Sequence, residues 1–240
     1  MQSIKHNWAD IDFSQSAQAR KGPCPPLQKP YDSKKELIAL PGIKEIAKPK
    51  TLAIDAILNR KSRRKFNDKA LSLEELALLL FCTQGVKWHN DKYGLRAVPS
   101  AGARHAFETY LYCSRVEGLA KGLYRYLALE HSLILEGEID ENREDELDEA
   151  LNGQLYEAAV YFIWTAVPYR MEWRYPVITP KLLALDAGHV CQNLYLACET
   201  IGCGTCAIGA YDQSKMDSFL KIDGENEFAI YMAPVGKVEG

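Results

Sequence analysis

From residue 71 onward, the order of hydrophobic and polar positions predicts most of the elements. LSLEELALLLFCTQG (71–85) carries apolar residues at helical spacing. Ser72 and Glu75 stand three apart as a capping box, and Gly85 is placed to stop the helix. FETYLYCSRV (107–116) and GLYRYLAL (122–129) are β-rich runs joined by a short Gly-containing turn, which predicts neighbouring strands. ENREDELDEALNGQ (141–154) predicts an acidic helix with a solvated face. AAVYFIWTAV (158–167) is continuously apolar, as expected of a strand buried on both faces. The longest helix is expected over LLALDAGHVCQNLYLACETIG (182–202). There Leu183, Ala187, Val190, Leu194, Ala197 and Ile201 draw one apolar stripe, and Gly202 ends the helix. Gly188 inside it costs about 1 kcal/mol relative to Ala, which a close approach by another helix would offset. EFAIYMAPVG (227–236) reads as a closing strand.

Helices mixed with strands, without strict βαβ alternation, predict an α+β architecture around one sheet. The first 50 residues differ in character. GPCPPLQKPY carries four of the eleven prolines, so residues 1–50 read as an extended Pro-rich arm and 51–240 as one domain. The 240 residues are 47% hydrophobic, enough for a real core. A net charge of −3 gives no footprint for nucleic acid or a polybasic membrane surface. No apolar run approaches the roughly 20 residues of a spanning helix. The start, MQSIKHNWADIDF, has no signal-peptide core. A cytoplasmic protein with neither nucleic-acid nor membrane partners is expected.

Seven cysteines form an odd set that does not read as a disulfide framework. Cys203-Gly-Thr-Cys206 has redox or metal spacing, with Cys191 and Cys198 nearby, so a four-thiolate site is one reading. The other is that these are small packed residues, and no second C-x-x-C pair supports the metal.

Three segments carry other chemistry. Arg60-Lys-Ser62-Arg-Arg64 offers guanidinium forks and a hydroxyl suited to a phosphate monoester, or else a solvated basic face. Pro99-Ser100-Ala101-Gly102-Ala103, before Arg104 and His105, is either a plain turn or a place where a flat ligand meets backbone. Gly202 to Tyr211 is rich in small residues that let a ligand approach main-chain N–H groups. There is no P-loop, no Rossmann fingerprint, no H-E-x-x-H and no G-x-S-x-G.

Taken in order, R-x-S-x-R-x-F, PSAGARH, DAGHVCQNLYLACETIGCGTCAIGAY and a closing PVGK resemble the nitroreductase family of flavin enzymes. They are most similar to its branch containing the azoline dehydrogenases of peptide heterocycle synthesis. The resemblance runs from about residue 50 to the end. It implies a nitroreductase-like fold with a mostly antiparallel central sheet flanked by helices, and an intertwined homodimer with FMN at the subunit interface. It further implies NADH or NADPH as electron donor and a small-molecule acceptor, nitroaromatic or quinone in type, each exchanging electrons with the flavin in turn.

Carried over by position, Arg60, Ser62 and Arg64 match the grip on the FMN phosphate and ribityl chain. Pro99, Ser100, Ala101 and Gly102 match the loop lining the isoalloxazine ring, with Arg104 beside it. Ile208, Gly209 and Ala210 match the loop approaching flavin N5, and Lys237 matches a phosphate contact. Relatives carry an amide side chain after the loop, where this chain has Ala103 and His105. Azoline dehydrogenases carry a Lys-Tyr pair implicated in removing a substrate proton, where this chain has Arg174 and Tyr175. Arg stays protonated and cannot act as that base. Arg174 and Tyr175 are expected on the substrate side.

Overall fold

A computed structural model of the chain describes Lys5 and residues 8–239. Its elements begin with β1 (Leu37–Ala39), α1 (Ala53–Asn59), α2 (Leu73–Gln84), β2 (Val86–His89) and β3 (Gly94–Arg96). Next come β4 (Phe107–Cys113), β5 (Gly122–Leu127), β6 (Ser132–Glu138), α3 (Glu141–Ala150), β7 (Val160–Ala166) and α4 (Pro168–Glu172). The chain finishes through α5 (Thr179–Thr200), β8 (Cys203–Thr205), α6 (Gln213–Leu220) and β9 (Phe228–Lys237).

Seven strands form one sheet in the order β1-β6-β5-β4-β7-β9-β8, every neighbouring pair antiparallel. β7 shows why its sequence has no polar face: all seven of its residues are buried. Because side chains alternate along a strand, Phe162 and Trp164 enter one core with Leu76, Leu80 and Leu194 from α2 and α5. Tyr161 and Ile163 enter the other, with Leu147 of α3 and Met216 and Phe219 of α6. The sheet is therefore the middle layer of an α+β sandwich, in agreement with the architecture expected from the sequence. Among the described residues no helix is long and apolar enough to cross a membrane.

The strongest local signals give the elements they predict. The Ser72 hydroxyl accepts the Glu75 N–H at 3.2 Å, and the Glu75 carboxylate accepts the Ser72 N–H at 2.9 Å, which closes the capping box. Gly85 ends α2 at an ordinary φ of −58°, and its glycine is needed for space, since a Cβ would run into the Phe81 ring. α5 buries Leu183, Ala187, Val190, Leu194 and Ala197, and Gly202 follows at φ +65°. The close helix approach expected at Gly188 is not found. Gly188 is exposed, and a Cβ there would meet no atom within 4 Å.

The arm is held by charge. Proline has no N–H to give a β-ladder, so buried arginines take the segment's carbonyls. Arg170 Nε donates to Pro26 O at 2.9 Å, and Arg96 Nη2 to Leu27 O at 2.9 Å. Arg125 donates to Lys29 O and Pro30 O at 3.0 and 3.1 Å. Glu108 accepts the Lys29 N–H and pairs with Arg170, with both side chains almost wholly buried. Residues 37–39 then add β1 to the edge of the sheet.

Removing one partner of a buried pair leaves an uncompensated charge, at a cost of about 3–5 kcal/mol. Arg170→Met is expected to destabilise the protein by about that much in chemical denaturation and to expose residues 23–30 to limited proteolysis. A loss below about 1 kcal/mol, with the segment still protected, would show that this pair does not hold the arm.

Candidate functional site

Two loops are fixed by polar atoms on α5. On one margin, the Tyr195 hydroxyl accepts the Ala207 N–H at 2.8 Å and shares a hydrogen bond with Ser62 Oγ at 2.9 Å. That single hydroxyl ties the Arg60–Arg64 segment to the loop of Ile208, Gly209 and Ala210. The segment is also zipped to β8: Arg63 N–H donates to Thr205 O at 2.9 Å, and Ser62 forms a parallel bridge with Thr205. Arg63 pairs with Glu199 and packs over Gly204 so closely that a Cβ there would overlap it. The Arg60 guanidinium lies 5.2 Å from the centre of the Tyr195 ring, and Arg64 is exposed. Among the described residues neither Arg60 nor Arg64 has a carboxylate partner, whereas Arg63 between them does.

Ile208 is buried and exchanges two main-chain hydrogen bonds with Met232. Gly209 and Ala210 are exposed, and among the described residues their N–H groups donate to nothing. The Ala210 carbonyl is held by Asn152 and Gln154. The result is a loop anchored at its ends with two free donors at its tip.

The other loop is held on the opposite margin. Asp186 and Tyr195 are nine residues apart, about two and a half turns and about 13 Å along the helix. Asp186 Oδ1 accepts the Ala101 N–H at 3.3 Å, and its buried Oδ2 has no partner among the described residues. Burial raises this carboxyl above its ordinary pKa, against the pull of Ser100 and the Ala101 N–H. Ser100 Oγ accepts the His105 N–H at 2.9 Å. Pro99 and Gly102 are exposed, while Ser100 and Ala101 are half-buried.

Gly102 has φ +56°, where a side chain is strained, and a Cβ there would also overlap Tyr175 Oη. The glycine thus lets Tyr175 and Arg174 rest on the loop. Arg104 is turned inward: its guanidinium lies 5.0 Å from the Trp173 ring centre and donates to Lys92 O at 3.0 Å. Its Nε and Nη1 have no partner among the described residues. Lys237 reaches Glu75 and the Ile201 carbonyl, the latter at 3.1 Å, so its charge is already paired. The motifs in the sequence did not single out Asp186 or Tyr195 as anchors, although both flank the predicted apolar stripe.

The four thiols do not converge on a metal. Among the described residues no group of three or more His, Cys, Asp or Glu side chains is arranged to hold one. Cys191, Cys198, Cys203 and Cys206 are all buried. Burial pushes the Cys191 and Cys203 thiols up to about 12, and Cys198 well above its ordinary value. Such thiols behave as packed apolar groups.

Comparison with known proteins identifies the family to which this fold and chain belong. Residues 57–237 match the Nitroreductase family profile, and the chain belongs to that family. A Methanocaldococcus jannaschii protein carrying the nitroreductase name is 33% identical over 202 residues, 83% of this chain and 96% of that one. A Ralstonia eutropha crystal structure, also named for a nitroreductase, superposes with a TM-score of 0.70 at 22% identity, covering 91% of this chain and 99% of that one. The Escherichia coli microcin synthetase McbBCD complex contains a chain of the same fold, with a TM-score of 0.60 at 17% identity. It covers 98% of this chain and 85% of that one.

Immediately after the Pro99–Gly102 loop lies a titratable group with a stability consequence. Burial first, then Arg96 and Arg104, push His105 down from 6.5 to about 3. The neutral ring is the folded form, while the unfolded chain takes a proton below about pH 6.5. Its contribution is therefore whole above that pH and is lost as pH falls toward 3, at up to about 1.4 kcal/mol per pH unit. His105 has φ +43°, a conformation Asn tolerates. His105→Asn is expected to flatten stability between pH 6.5 and 4, measured by urea denaturation at each pH. An unchanged slope would mean that another group carries the acid sensitivity.

Proposed function

We propose that the chain is an FMN-dependent NAD(P)H oxidoreductase that passes electrons to a small-molecule acceptor of nitroaromatic or quinone type. The observation that carries this is the Tyr195 side chain, whose hydroxyl bonds Ser62 and the N–H of Ala207, the residue before the loop with free N–H donors, and whose ring lies against Arg60. A phosphate monoester needs forked cations and a hydroxyl. An electron-rich ring edge needs main-chain donors.

The residues fit the cofactor. Arg60, Arg64 and the Ser62 hydroxyl would hold the phosphate and ribityl chain. Pro99, Ser100, Ala101 and Gly102 would leave room for the ring. The loop of Ile208, Gly209 and Ala210 would set its free Gly209 and Ala210 N–H donors against the N5 side, with Ile208 anchoring it to Met232. Arg104 would act as a fixed positive charge behind the ring-lining loop, and Lys237 would reach a phosphate by leaving Glu75. When bound, FMN supplies a two-electron relay, and the protein contributes position and charge. In the net reaction NAD(P)H leaves as NAD(P)⁺, and a quinone gains two electrons and two protons, one of them from solvent, to leave as the quinol.

The exposed apolar residues support a homodimer. Leu52, Ile54, Ile57 and Leu58 of the α1 region are exposed, Leu58 by 74%, and Leu185 on the outer face of α5 by 52%. Contiguous patches of this kind mark interaction surfaces. In this reading residues 51–240 form the flavin-binding unit, residues 1–50 are an arm whose described part docks on it, and the protein works in the cytoplasm. Azoline dehydrogenation is not favoured, because Arg174 stands where that chemistry uses a lysine as base.

Arg60→Ala with Arg64→Ala is expected to strip the bound flavin while the chain stays folded by circular dichroism, since both side chains lie outside the core. FMN retained at wild-type affinity in the double variant would remove these residues from the phosphate grip.

A further inference from the structure

Beside the loop at Gly102, the turn after α4 and the N-terminal segment form an open pocket of about 520 Å³ lined by Trp8, Phe13, Ser16, Gln18, Ala19, Arg174 and Tyr175. That volume lies within the range of sites that hold small organic ligands. Its apolar wall is aromatic: Trp8 lies 5.2 Å from Phe13 and 6.0 Å from Tyr175, and Phe13 meets Tyr175 edge-on at 6.2 Å. The segment is tied down by Gln18 N–H donating to Trp173 O at 2.7 Å and Trp173 Nε1 donating to Gly22 O at 3.1 Å.

Arg174 stands in this wall with its charge unspent. Its guanidinium lies 5.5 Å from the Tyr175 ring centre, and among the described residues its side chain makes neither an ion pair nor a hydrogen bond. The other Arg of this stretch, Arg170, is buried against Glu108. The one carboxylate on the turn carrying Phe13 belongs to Asp12, which is occupied by the Ser14 N–H and hydroxyl and by Gln15. An aromatic slot with one guanidinium and no carboxylate among its lining residues suits a flat ring that carries an oxyanion. Stacking holds the ring, and the fork takes both carboxylate oxygens.

We propose that this cavity is the acceptor's binding site and that it selects aromatic carboxylates, with Arg174 as the anion-recognition group and Trp8, Phe13 and Tyr175 as the stacking wall. The assignment rests on the oxidoreductase reading above for the word acceptor, but the pocket's ligand preference stands on its own geometry. Gly102 connects the two, since the residue expected to line the flavin is also the one on which Tyr175 and Arg174 rest.

The test is calorimetric titration of the purified, flavin-loaded protein with 4-nitrobenzoate and, separately, with 4-nitrobenzamide, which has the same ring without the charge. A hydrogen-bonded charge pair predicts that the carboxylate binds about tenfold or more tightly. Arg174→Gln is expected to bring the ratio close to one, Arg174→Lys to restore part of it, and Phe13→Ala to weaken both ligands while leaving the ratio intact. Equal binding of the two ligands by the wild type, or an unchanged ratio in Arg174→Gln, would overturn the proposal. If the protein holds no flavin and takes none up, the oxidoreductase reading fails while the same titrations still decide the pocket. The ratio of kcat/KM for NAD(P)H-dependent reduction of the two compounds is expected to follow the binding ratio.

Discussion

The candidate site depends on α5 lying immobile against the sheet. Its apolar stripe is buried from Leu183 to Ala197, and each fully buried aliphatic side chain contributes about 1.5–3 kcal/mol. With that face spent on the core, the two margins become fixed platforms. Tyr195 on one margin holds Ser62 and the Ala207 N–H, and Asp186 on the other holds the Ala101 N–H. Beyond the isolated bridges of Ser62 with Thr205 and Ile208 with Met232, neither loop belongs to a strand. Helix burial thus helps to place both loops through two polar atoms, beside the main-chain bonds to Thr205 and Met232.

The same arrangement explains how much could be read from the chain. Signals that stay within one element were legible: the Ser72–Glu75 box, the apolar run of β7 and the stripe of α5 each specify their own geometry. Elements that depend on distant partners were not. β6 is a short run whose pairing is set by β5 and β1, and the β2–β3 ribbon, α4 and α6 carry little period of their own. Gly188 promised a helix contact and meets none, because the helix packs through its other face.

The site residues divide in the same way. Residue type and order brought Arg60, Ser62, Arg64 and the two small-residue loops to notice. The state of each charge could not be read from sequence, because it is set by a non-local neighbour. Arg104 sits against Trp173 and a main-chain carbonyl, Lys237 is neutralised by Glu75, and Arg63 is paired while Arg60 and Arg64 have no carboxylate partner among the described residues. Gly102 shows the limit most clearly. Its smallness suggests a ligand, and in the folded chain it also seats Tyr175 and Arg174. The N-terminal segment gave no hint that it would supply two rings of a cavity wall, because the contacts that dock it are with distant Trp173, which accepts the Gln18 N–H and donates to Gly22 O.

The central claim is that these loops hold FMN, and an absorption spectrum of the purified protein tests it most directly, followed by identification of the flavin released on heating. The account predicts a yellow protein that releases FMN, not FAD, at about one per chain, since each chain supplies one phosphate grip. A colourless protein that also fails to bind added FMN would contradict it.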